Sequence, residues 1–139
     1  MRRMHALLLL MVAGSALAAG LLRSTAPAEA RAYIISPLDG ATVSSPVTVQ
    51  FGLRGMGIAP AGFAMANTGH HHLLIDVDLP PMDQPVPADE RHLHFGKGQT
   101  EAAVTLAPGR HRLQLLLADH LHLPHEPPVV SEPITITVR

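Results

Sequence analysis

The chain has 139 residues, 47% of them apolar and 15% charged, which suits one domain with its own core and excludes a disordered tail. Ten Lys and Arg against eleven Asp and Glu give a formal charge of -1, so no basic footprint for nucleic acid is present. The lack of cysteine excludes disulfides, thiolate metal sites, iron–sulfur clusters and a cysteine nucleophile. Aromatic residues are confined to Tyr33, Phe51, Phe63 and Phe95, too few for a base-stacking or sugar-binding platform. Histidine stands out: there are ten, as many as Lys and Arg together, and nine lie beyond residue 69.

Residues 1–32 read as a signal peptide and short linker, and residues 33–139 as the domain. Met1, Arg2, Arg3, Met4 and His5 form a basic start, and residues 6–19 are apolar and small. Small-x-small sites allow cleavage after Ala18, Ala30 or Ala32, and no cysteine follows that would carry a lipid anchor. The expected location is periplasmic or secreted, with no stable membrane insertion once the signal is removed.

Beyond residue 32, short β-rich runs alternate with Gly and Pro, and no stretch sustains a 3.6-residue period. Strands are expected over 32–36, over 42–53 with Val47, Val49 and Phe51 at period 2, and over 69–78 around Leu73, Ile75 and Val77. Residues 54–68 read as a Gly/Ala loop and 80–90 as an irregular Pro-rich segment. Further strands are expected over 100–106 and 111–118, joined at Pro108-Gly109 into an antiparallel hairpin, and over 129–138. Six or seven such strands predict an all-β fold, a single antiparallel immunoglobulin-like β-sandwich.

The histidines fall in three H-x-H pairs: His70 and His72, His92 and His94, His120 and His122. On an extended chain, residues i and i+2 share a face about 6.5–7 Å apart, so two imidazoles can converge on one ion. The expected hairpin, with strand 69–78 antiparallel to 111–118, would bring all three pairs to one rim of the sandwich. His71 is in phase with Leu73 and reads as a core-edge residue. His111, beside the Pro-Gly turn, falls at the opposite end. The candidate metal ligands are His70, His72, His92, His94, Asp119, His120, His122 and His125.

All-histidine ligation suits zinc or copper, and Met56, Met65 and Met82 tilt the choice toward copper. Cupin-like ligation by His92, His94, Glu101 and His111 is rejected, because the carboxylate spacing and the Pro-Gly placement both differ. Glu101, Asp119 and Glu126 are all possible bases for a metal hydrolase, but no hydrolase motif selects one. Residues 95–99 (FGKGQ) read as a plain loop into the next strand rather than an anion cradle.

The sequence resembles a known family at G-H-H-H-L-L-I-D (69–76), H-F-G-K-G-Q-T-E (94–101) and P-G-x-H-x-L-Q-L-L-L-x-D-x-x-H-x-P-H-x-P-P-V-x-S (108–131). This is the exported bacterial domain-of-unknown-function family number 4399, and the likeness spans residues 34–138. It implies a secreted single domain, carries no activity, and points to His70, His71, His72, His94, Asp119, His122 and His125. The leading expectation is an exported domain binding copper or zinc as carrier, buffer or sensor. The alternatives are a metal-free module that contacts an envelope protein, and a metal-dependent enzyme.

Overall fold

The computed structural model describes residues 20–139; the expected signal sequence, residues 1–19, lies outside them. The described residues form no helix and nine strands in two sheets. No helix among them is long and apolar enough to cross a membrane. The smaller sheet has the order β1 (Arg31–Ser36), β3 (Val47–Arg54), β7 (Glu101–Val104). The larger runs β2 (Thr42–Val43), β9 (Ile134–Val138), β8 (Gly109–Ala118), β5 (Thr68–Ile75), β4 (Gly57–Ile58), with β6 (His92–His94) also paired to β5. Pairing is antiparallel except for β2 with β9 and β4 with β5. This is the expected all-β sandwich, with two or three more strands than the six or seven expected.

The core lies between the sheets. Val47, Val49 and Phe51 from β3 meet Leu73 and Ile75 from β5, Leu113, Leu115 and Leu117 from β8, and Ile136 from β9. These are the period-2 rows of the sequence, so alternation alone set the inward face. The larger sheet is also covered on part of its outer face. There Leu74, Leu116 and Ala118 pack with Val86, Met82 and Val130. Residues 80–90 thus contribute to an outer layer, and β5 is buried on both faces.

Two strand expectations need correction. Residues 42–53 are not one strand. The chain breaks at Ser44-Ser45-Pro46, and β2 and β3 join different sheets. Nor do residues 100–106 and 111–118 form a hairpin: β7 pairs with β3, whereas β8 lies in the other sheet. The reason is edge occupancy. Residues 113–118 of β8 pair with β5 on one side, and residues 109–113 pair with β9 on the other. With β8 filled, the Pro-Gly turn carries the chain from sheet to sheet.

The chain ahead of residue 31 is part of the packing. Ala26 donates its amide to the Glu126 carbonyl at 2.9 Å, and Glu126 donates to Ser24 at 2.9 Å. Ala26 and Ala30 are buried in the main core. Two buried methyl groups and these hydrogen bonds together are worth about 3 kcal/mol. A chain beginning at Arg31 is therefore expected to unfold at lower urea than one beginning at Gly20. Equal urea midpoints would show that residues 20–30 add nothing to stability.

Candidate metal centre

Successive side chains of β5 point to opposite faces. His71 turns inward and lies 5.3 Å from the Phe51 ring, centroid to centroid, as its phase with Leu73 predicts. His70 and His72 turn outward, with ring centroids 4.8 Å apart, and both are almost fully buried. On one side of β5, His72 pairs with His94 of β6. On the other, His70 pairs with Ala118, the last residue of β8, so the turn after β8 starts beside it. That turn returns His122 to the cluster.

Four imidazoles meet there. The His70 ring lies 5.0 Å from those of both His94 and His122, which are themselves 4.9 Å apart. His94 Nε2 and His122 Nε2 are 3.1 Å apart. His70, His94 and His122 each offer a nitrogen, and these atoms lie within 4.8 Å of one another. His72 stands alongside, 5.2 Å from His94 but 6.1 Å from His122. Tetrahedral ligands at Zn–N distances of 2.0–2.1 Å sit about 3.3 Å apart, so small ring rotations would bring the trio onto one ion.

Two local devices hold the outer rings. The His122 backbone is left-handed, with φ 67°, a conformation uncommon for a residue with a side chain. Asp119 fixes it: its Oδ1 accepts hydrogen bonds from the amides of Leu121 (2.9 Å) and Leu123 (3.0 Å). The Asp119 carbonyl accepts the His122 amide at 2.9 Å, and the His122 carbonyl accepts the Val86 amide at 2.9 Å. Ser24 donates its hydroxyl to the second Asp119 oxygen at 2.6 Å. The other device is Gly96. A Cβ there would overlap the His94 imidazole, so only glycine lets that ring fold back over its own chain.

The remaining candidates lie elsewhere. His92 pairs with Leu74, two residues along from His72, and bonds Asp89 at 2.8 Å. Asp119 supports the turn through Oδ1 and is tied to Ser24 through its other oxygen. His120 borders a separate cleft of about 470 Å³ with Ser24, Asn67 and His125. His125 is buried and donates from Nε2 to the Thr68 carbonyl at 3.1 Å. His111 sits at the far end, bonded to Asp76 and the Ala107 carbonyl, both at 2.7 Å. Met56 and Met82 pack against the apolar clusters, and Met65 is exposed. The structural parts of Gly96 and Ser24 were missed in the sequence. Only the H-x-G spacing of His94 and Gly96 hinted at the first.

Electrostatics favour neutral rings. Burial, then repulsion from His122 and His94, lowers the His70 pKa to about 4, with Asp119 opposing. Burial and the neighbouring histidines hold His72 at about 3. His71, by burial alone, falls to about 4. Burial also raises the pKa of Asp119, but bonds from Ser24, Leu123 and Leu121 outweigh it and leave the group below its ordinary value. At neutral pH these imidazoles are deprotonated, the form that ligates metal. Both ring nitrogens of His70 and of His71, and Nδ1 of His72 and of His125, are buried without a hydrogen-bond partner; of these rings only His70 belongs to the converging trio.

The family described as Domain of unknown function (DUF4399) matches residues 49–139, and the chain belongs to it. The match includes every histidine of the cluster. No curated protein matches the chain. No solved structure matches it either.

Replacing Gly96 by Ala should displace the exposed His94 ring from the cluster with little effect on global stability. Imidazole NMR would register this as loss of the contact between His94 and His122. An unchanged contact would rule out the glycine requirement. A second expectation concerns pH. Between pH 6.5 and 4 the unfolded chain protonates His70, His71 and His72 while the folded chain does not, so stability falls as pH falls. His94 and His125, lowered chiefly by burial, act in the same sense, and only His111, whose pKa is raised by Ala107 and Asp76, opposes them, one histidine against five. The urea midpoint of metal-free protein should decline steadily across that window. A midpoint rising toward pH 4 would contradict this account.

Proposed function

We propose that this protein binds a transition metal, copper or zinc, through His70, His94 and His122, with His72 beside them. The reading includes export, with the protein acting as carrier, buffer or sensor outside the cytoplasm. One observation supports it above the others: His70 is fully buried, has both ring nitrogens unpartnered, and lies in a group of three converging imidazoles. An unpaired buried polar group costs about 1–3 kcal/mol, a loss that a bound ion would offset. Neutral imidazole donors suit Zn²⁺ and Cu²⁺, and at equal geometry Cu²⁺ binds more tightly.

A second reading rests on Phe63, Met65 and Leu121, which are about half exposed. Phe63 and Leu121 lie on loops joined by the bond from the Gly62 amide to the His120 carbonyl at 3.0 Å. In that reading the rim near the cluster receives an envelope protein.

Titration calorimetry of untagged, metal-free protein with Zn²⁺ and Cu²⁺ separates these readings. One ion per chain is expected. Replacing His70, His94 and His122 together by Ala should weaken binding by a factor of about 100 or more, equivalent to roughly 2.7 kcal/mol. Circular dichroism confirms that the variant is folded. A folded variant that binds as tightly as the parent sinks the metal reading.

A further inference from the structure

We propose that an ion held by His70, His94 and His122 keeps one coordination position open toward solvent and fills it with a small anion. This deepens the metal-binding reading and rests on it.

Charge is the first reason. All three donors are neutral when they ligate, so a divalent ion would keep its full charge. Among the described residues, no carboxylate joins the group that these nitrogens form. Asp119 is near enough to affect His70, but both its oxygens are committed, one to the Leu121 and Leu123 amides and the other to Ser24. Glu126, in the next segment, is paired with Arg23. The described residues therefore bring no anionic ligand to the trio.

Access is the second reason. His70 and His72 are 0% and 1% exposed and form an inner wall on β5. His94 is exposed and His122 half-buried, so the opposite side faces water. An ion here would sit against a low-dielectric wall, which strengthens its pull on an anion compared with bulk water.

Coordination number is the third. Three protein nitrogens leave a tetrahedral ion one position short, the arrangement of zinc sites that exchange their fourth ligand. His72 lies outside the group of nitrogens within 4.8 Å of one another, its ring 6.1 Å from that of His122, so it does not complete the set. The ligand class is a monodentate anion, such as hydroxide, chloride, azide or a carboxylate. Such a position is also the route by which a carried ion can be handed on through ligand exchange.

The test uses the full chain loaded with one equivalent of Cu²⁺ and titrated with sodium azide, with pyridine as a neutral donor in parallel. Azide should produce a new charge-transfer absorption that saturates at one azide per copper. Azide should bind at least about tenfold more tightly than pyridine, and chloride should compete with it. Tight copper binding with no azide absorption would overturn the open position and leave the metal reading standing. Equal affinity for azide and pyridine would overturn the charge argument. Copper recovered free in the ultrafiltrate after azide addition would show displacement instead of binding, and would also overturn it. Failure to bind copper or zinc would remove the metal reading and this inference together.

Discussion

Everything at the site depends on β5 being paired on both edges over most of its length and buried on both faces. β8 pairs with one edge from His70 to Ile75, while β4 and β6 share the other. A strand enclosed in this way has a rigid pleat, and its alternation becomes a fixed spatial pattern. That is why three consecutive histidines have two unlike environments. His71 packs beside Phe51 between the sheets, and its neighbours face the opposite side.

The strand supplies only two of the four rings. His94 comes from the end of the short strand β6 and His122 from a turn, and each is held by an uncommon local solution. His122 occupies left-handed space because the Asp119 carboxylate takes the amides on either side of it. His94 folds back because residue 96 has no side chain. Ser24 reaches the same carboxylate from a segment nearly a hundred positions earlier, so the N-terminal stretch and the cluster share one hydrogen-bond network. A short network of this kind fixes a ring that would otherwise turn freely in solvent.

Much of this was legible in the sequence, though partly by the wrong route. Phase separated His71 from His70 and His72 without any structure. The meeting of His70, His94 and His122 at one rim was also expected, but from a hairpin between residues 100–106 and 111–118 that does not exist. The other half of that expectation, strand 69–78 antiparallel to 111–118, is the β5–β8 pair that places His70 beside the end of β8, while His94 comes from β6, a three-residue strand with too little alternation to be seen. Overreach came from applying strand geometry to every H-x-H. His92 does share a face with His94, but lies a full pleat further along, opposite Leu74. His120 and His122 lie in a turn, where the i and i+2 rule has no force. Edge occupancy, which decides such matters, belongs to the whole sheet, and no local pattern carries it.

The outer face of the larger sheet offers an internal comparison. One part of it is covered by Leu74, Leu116, Ala118 and Val86, ordinary apolar packing under the Pro-rich segment. The adjoining part holds His70 and His72, equally buried, on the same strand and two to four residues away. The covering of a sheet calls for no imidazoles, since the leucines beside them do it without stranding polar nitrogens. An unpartnered buried ring is costly wherever it lies, His71 in the core included, so the distinction rests on convergence. Three nitrogens aimed at one another, with a carboxylate and a glycine spent on aiming them, make a good ligand set. The two halves of one face thus separate packing from chemistry within a single strand.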